Sequence, residues 1–313
     1  MGKRVLIIIG YLLVSLSTSC VVTDLNEPAD SIIDGVEVNL FSSNSVIQQS
    51  AASYRNYCIM ITDNRASMYL YNLETKEMLC RVALKPGEGK DFMGYVLYHC
   101  NQATFGSDFY DESDPFPLLY ISQRAGEDKR CFVEVYRIIL AREDAEEDYS
   151  SMSANLVQTI YFPKMDRENS LGNVNCVIDP DSHQIYTYSR NNDTHDTNYG
   201  ICKISRFAIP DVYNETVELT DSHIKSSFML NCSAVNMQGG CICNGILFVG
   251  QGSKSAGHIY LNVINLQKQK LEARIDLLRR RFTWEPEGCF SFGERIMITA
   301  GNSIWEVNFR RKD

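Results

Sequence analysis

From Val36 to the end of the chain, apolar residues recur at every second position in short runs, and Gly, Asn or Asp cuts each run. A spacing of two puts alternate side chains on opposite faces of an extended backbone, so such runs read as half-buried strands. "YCIMITDNRASMYLYNL" reads as two strands around a turn at Asp63–Arg65, and "PLLYISQ" with "CFVEVYRIIL" as a second pair. "CVIDPDSHQIYTYS" and "ICKISRFAI" follow, then "GCICNGILFVGQG", "HIYLNVINLQKQKLEARIDL" and "CFSFGERIMITAGNSIWEVNF". In "GQGS" (Gly250 to Ser253) the spacing predicts a hairpin turn after a strand. No convincing amphipathic helix competes, and Ala141 to Asn155 is the one stretch that reads as a helical or unstructured insertion. The pattern confines the chain to all-β architectures.

The runs also repeat. Strand markers at Ile61, Leu118, Val177, Leu247 and Ile296 recur about every 59 residues, and each unit shares one grammar. A strand enters a turn, a second strand carries an aromatic, and a return strand such as "KEMLCRVAL" or "KLEARIDL" follows. One four-stranded antiparallel unit cannot bury both faces alone, so such units pack in a ring. The expected fold is a β-propeller of four-stranded antiparallel blades over residues 36–313, with five blades first and six second. A pair of β-sandwiches is the alternative. The last unit runs out of chain after two or three strands, and "GVEVNLF" (Gly35 to Phe41) can complete it and leave no open sheet edge.

The start of the chain carries an address. Lys3 and Arg4 precede an apolar run from Val5 to Leu16, then Ser17, Thr18, Ser19 and Cys20. Charge, apolar core and small residues in that order form an export signal, too short to span the membrane comfortably as a mature helix. The cysteine after the small residues resembles the lipobox of bacterial lipoproteins. Residues 1–19 are therefore expected to be a lipoprotein signal peptide, Cys20 the lipidated residue, and the acidic stretch 20–35 a flexible tether. A secretory peptide without lipidation is the alternative. Val21 stands where an inner-membrane retention signal would have Asp, and Asp24 and Glu27 are too dispersed for a surface-export signal. The expected address is the outer membrane, on its periplasmic face.

The formal charge of −9 becomes −11 once Lys3 and Arg4 leave. An acidic chain whose one dense basic run is Arg279–Arg281 excludes nucleic acid as the natural partner. Of eleven Cys, most sit inside apolar strand-like runs and none falls in a C-x-x-C pair. They are expected to be buried thiols, with one or two disulfides as the alternative.

The leader, the blade grammar and two segments together resemble the β-propeller lipoproteins of Bacteroidetes, including the TolB-like group. The segments are "HCNQATFG" with "DPFPLLYIS" (His99 to Gly106, Asp114 to Ser122) and "EPEGCFSFGERIMITAGNSIWEVNF" (Glu285 to Phe309). "EPEG" is also similar to a segment of gluconolactonase-type propellers. The resemblance implies ligand binding at the mouth of a central channel. The candidates placed there are His99, Asn101, Gln102, Asn175, Gln238, Glu285 and Glu287, from four units. Such a set can grip sugar hydroxyls, or hold a divalent cation such as Ca²⁺ through Glu285 and Glu287. It can also simply bond the ends of inner strands. "NNDTHDTN", with Asp193, His195 and Asp196, and "DFYDESD" (Asp108 to Asp114) are rival metal sites whose oxygen density can bind Ca²⁺, though both lack the EF-hand spacing and also read as solvated hairpin loops. Nucleophile-elbow, zincin, dinucleotide and P-loop motifs are all missing from the sequence.

Two functional readings follow. The first is a non-catalytic binding or scaffold propeller, held at the membrane by its lipid, with an envelope protein or glycan as partner. The second is a metal-dependent hydrolase or lactonase of the gluconolactonase type.

Overall fold

The alternating runs pair into five four-stranded antiparallel units, two of which join edge to edge in one nine-stranded sheet. The computed structural model describes residues 33–44, 46–62, 67–85, 100, 102–123, 131–140, 152–163, 175–190, 201–234 and 236–311. The first sheet holds β2 (Ser50–Tyr54), β3 (Tyr57–Ile61), β4 (Ser67–Asn72) and β5 (Glu77–Lys85). The second holds β6 (Gln102–Phe105), β7 (Leu119–Gln123), β8 (Phe132–Ile139) and β9 (Ser153–Tyr161). The third holds β10 (Asn175–Asp179), β11 (Gln184–Arg190), β12 (Ile201–Ala208) and β14 (Ser226–Ser233). The fourth holds β15 (Met237–Cys243), β16 (Ile246–Ser253), β17 (His258–Asn265) and β18 (Lys270–Asp276). The fifth holds β19 (Gly288–Phe292), β20 (Arg295–Ala300), β21 (Ser303–Arg311) and, outermost, β1 (Ile33–Ser43).

These sheets are the blades of a five-bladed β-propeller. The first strand of each blade is its innermost, and β2, β6, β10, β15 and β19 touch in that order before β19 returns to β2. The ring is closed by pairing the two ends of the chain. β1 lies antiparallel to β21 from Ile33 opposite Arg311 to Ser43 opposite Ser303. The N-terminal strand expected to finish the last unit does so. It begins at Ile33, so residues 33–35 belong to the sheet rather than to the tether.

Alternation explains the packing. In β3, Ile59 and Ile61 point into a cluster shared with Leu119, Ile121 and Tyr136 of blade 2. Cys58 and Met60, one residue out of phase, point into a cluster with Phe290, Met297 and Ile304 of blade 5. Every blade thus buries both faces, and each of the five gaps between adjacent blades holds one apolar cluster. The outer edge of blade 2 is covered as well. Against β9 lie Leu84 and Lys85 of β5 and the parallel strand β13 (Thr216–Glu218), which removes an unpaired edge.

Three local expectations are corrected. Ser153, Ala154 and Asn155 are strand, not the tail of an insertion, because Ala154 is buried and paired with Ile138. Val177 lies on the inner strand β10, whereas the other four markers sit in or beside second strands. "GQGS" is no hairpin turn. β16 runs through it to Ser253, and Gly252 takes a φ of 85° that an L side chain rarely adopts. The turn expected at Asp63–Arg65 and most of the stretch 141–155 lie outside the described residues.

Candidate functional site

Because the inner strands all begin at one end of the ring, whatever stands at their first residue converges there. The sequence repeats a pattern at those points. Gln49-Ser50, Gln102-Ala103, Asn175-Cys176, Gln238-Gly239 and Glu287-Gly288 each place an amide or carboxylate before a small residue, once per blade. The small residue lets the inner strands crowd together. A Cβ on Gly288 would lie 2.7 Å from the Ala51 nitrogen and 2.5 Å from Thr299 Oγ1. The polar side chain then has to find its partners within the ring.

It finds them on other blades. Gln102, fully buried, donates from Nε2 to the Gly240 carbonyl at 2.6 Å, and its Oε1 accepts from the Gly240 N–H at 2.6 Å. Blades 2 and 4 are not neighbours, so this pair of bonds bridges the axis. Asn175 donates to the carbonyls of Met237 and Gln238 at 3.3 Å each. Gln238 donates to Glu285 Oε1, and Gln49 donates to Glu287 Oε2 at 3.0 Å. Pro286 lies against Gly250, where a Cβ would stand 2.8 Å from the proline carbonyl oxygen. The Glu-Pro-Glu segment therefore wedges beside blade 4, with one carboxylate bonded to blade 4 and the other to blade 1.

Beyond the Gln102–Gly240 bridge the axis widens into a cavity of about 80 Å³. All five inner strands line it, through residues that include Ser53, Thr104, Ile178, Cys241 and Cys289.

On the outer side of the bridge, two apolar side chains stand in solvent. Trp284 is 55% exposed and Ile47 74% exposed. The Trp284 ring lies over Gly301, whose carbonyl accepts from the Gln48 N–H at 3.0 Å, so both side chains border the Glu285–Glu287 segment. Beneath them, Gln48 is 2% exposed, and among the described residues neither its side-chain oxygen nor its nitrogen has a partner; Ser50 Oγ, Asn175 Oδ1 and Thr299 Oγ1 share that condition.

Of the residues expected at the mouth, Gln102, Asn175, Gln238, Glu285 and Glu287 are brought together. His99 and Asn101 lie outside the described residues, as do Asp193, His195 and Asp196. Gln48, Gln49 and Trp284 belong to the site and were not singled out from the sequence. The repeated amide-before-small-residue dipeptide is the signal that finds Gln49; nothing in the sequence marks Trp284. Among the described residues, no group of three or more His, Cys, Asp or Glu is placed to hold a metal ion. In the acidic loop, Arg137 grips Asp114 at 2.7 Å, and hydrogen bonds from Ser113 hold the Asp111 carboxyl below its ordinary range. That loop is tied to its own blade by Arg137, to blade 3 by Asp108 with His183 at 3.3 Å, and to blade 1 by Phe109 edge-on against Tyr54.

No family model matches the sequence, and no curated protein matches it. Among solved structures, the chain is similar to the aldose sugar dehydrogenase of Streptomyces coelicolor in its PQQ-bound form, at 12% identity over 91% of this chain and 100% of that one, with a TM-score of 0.47. It is similar to the glutaminyl cyclase of Myxococcus xanthus at 11% identity over 90% of this chain and 97% of that one, with a TM-score of 0.45. A luciferin-regenerating enzyme aligns at 7% identity over 85% and 73% of the two chains, with a TM-score of 0.41.

Proposed function

We propose that this propeller is a non-catalytic glycan-binding module of the bacterial envelope, held at the outer membrane by a lipid on Cys20. The observation that carries the reading is the juxtaposition at the mouth of an exposed indole, Trp284, with amide–carboxylate pairs, Gln238–Glu285 and Gln49–Glu287. A sugar ring offers an apolar C–H face and an edge of hydroxyls. A flat aromatic meets the first, and fixed carboxylates and carboxamides with spare lone pairs and N–H groups meet the second. A protein partner would call for a larger apolar patch than Ile47 and Trp284 supply.

The bonding of the two glutamates also supports binding over metal chemistry. Each carboxylate accepts from a glutamine N–H, and an amide donor beside a carboxylate repels a cation from that lone pair. Kinship with the TolB-like propeller lipoproteins of Bacteroidetes belongs to the same proposal and rests on the leader, the blade grammar and the two segments quoted above.

Trp284 and Trp305 are the two tryptophans of the chain, and Trp305 packs edge-on against Phe282. A ligand-induced change in indole fluorescence that is lost in Trp284→Ala therefore reports on the mouth. Titration with envelope oligosaccharides is expected to change that fluorescence, and Trp284→Ala or Gln238→Ala to weaken binding about tenfold or more, the equivalent of about 1.4 kcal/mol. A protein that binds no oligosaccharide, yet carries one divalent metal per chain that Glu287→Ala removes, would replace this reading with the hydrolase one.

A further inference from the structure

The inner strands of blades 4 and 5 approach backbone to backbone. Gly239 donates its N–H to the Glu287 carbonyl at 3.1 Å, and a Cβ on Gly239 would stand 2.5 Å from that oxygen and 2.6 Å from the Gly288 Cα. Only glycine fits a contact of this kind. Two residues beyond Gly239, and one beyond Gly288, each strand carries a cysteine. The close approach brings Cys241 Sγ and Cys289 Sγ to 3.2 Å, with both side chains buried and both bordering the axial cavity.

We propose that Cys241 and Cys289 close into a disulfide that ties blade 4 to blade 5 beside the channel. A disulfide needs the sulfurs at about 2.05 Å, so closure asks for a movement of roughly an ångström, within the reach of small side-chain rotations. The oxidant is an external disulfide, either a small molecule or a protein. One cysteine thiolate attacks it, forms a mixed disulfide and releases the first external thiol. The second cysteine then attacks the mixed disulfide and releases the second. Two electrons pass to the external disulfide, which leaves as two thiols, and one S–S bond is exchanged for another.

The reaction belongs to folding rather than to the finished ring. In the native structure burial, and then the neighbouring thiol of Cys289, push the Cys241 thiol well above its ordinary value, and a protonated thiol is a poor nucleophile. While the last two blades dock, the same thiols meet solvent and reagent. Once formed, the bond is shielded by the blades that produced it. A second thiol pair, Cys202 of β12 with Cys232 of β14, lies within blade 3. It competes for the same oxidant but joins strands that are already hydrogen-bonded neighbours, so it adds no tie between blades.

The test is to refold the full chain in oxidised glutathione, quench with acid, alkylate in denaturant and map the peptides. The expected product joins the Cys241 segment to the Cys289 segment, two hydrogens lighter than the dithiol, with fragment ions that separate Cys241 from Cys243. The oxidised protein should melt above the reduced one, and Cys289→Ala should abolish that gap, while Cys202→Ala retains the cross-link. Recovery of Cys241 and Cys289 in fully alkylated form, or of Cys241 joined to a different cysteine, would overturn the proposal. The peptide map is read on the natural sequence, so a variant that fails to fold does not affect it.

Discussion

At the scale of single residues, the centre of the molecule depends on polar groups that have no solvent to fall back on. Gln102 is the clearest case. Its amide satisfies both the N–H and the carbonyl of Gly240 across the axis. Gln102→Leu keeps the approximate volume and strands both backbone groups, each at a cost of about 1–3 kcal/mol. Gly239→Ala acts differently, by forcing a methyl into the Glu287 carbonyl 2.5 Å away. Overpacking of that kind costs about 1–3 kcal/mol, and the two rigid backbones leave little room for relief. Urea denaturation should show both variants with lowered midpoints. Only Gly239→Ala should also slow cross-linking of Cys241 to Cys289, because only it pushes the two strands apart. The residues that matter here were unevenly legible in the sequence. Gln102, Asn175, Gln238, Glu285 and Glu287 stood before recognisable strands. Gln49 stood before Ser50-Ala51-Ala52-Ser53, a strand of small residues with no apolar alternation to announce it. Trp284 follows the buried Phe282 by two residues in a loop, and such an aromatic reads as core until its exposure is seen. The meeting of Cys241 and Cys289, 48 residues apart, depends on how two blades pack, which no local spacing encodes.

At the scale of elements, the blade was readable because its inner strands are buried on both faces and its outer strands on one, while the turns between strands remain polar. Period-two runs and Gly or Asn turns therefore marked most strands within a residue or two. What local pattern could not fix was which strand of a unit is innermost, and so Val177 was matched to the wrong strand. The closing strand was readable for a topological reason, since a last blade short of strands needs one from elsewhere. That makes β1 a removable part. Its buried Val36 packs in the cluster between blades 4 and 5, and Arg280 donates to the Val36 carbonyl. A chain starting at residue 44 should expose the edge of β21 and associate or aggregate. A synthetic peptide of residues 33–43 added in trans should bind it and restore monomers, as followed by light scattering. Failure of the peptide to bind would mean that blade 5 is held by more than strand pairing.

At the scale of the whole molecule, placement and chemistry separate. The ring, its five apolar gaps and its mouth are properties of residues 33–311. Attachment, as proposed, is a property of Cys20 and the leader before it. Cys20→Ala should therefore abolish metabolic labelling with palmitate and move the protein to the soluble fraction, while oligosaccharide binding by the released domain stays unchanged. Full membrane retention by that variant would sink the lipid anchor and leave the binding reading intact. Ring closure has one more consequence, and it concerns time. Ribosomes and secretion channels deliver a chain from its N-terminus, so β1 is the first strand to emerge and β21, its partner, the last. Through nearly the whole of synthesis or export, an eleven-residue strand waits with its hydrogen bonds unspent. The four complete blades assemble beside it in the meantime. Until the final residues arrive the molecule is an open arc rather than a ring, and in that interval a holdase or a second nascent copy can compete for the waiting strand.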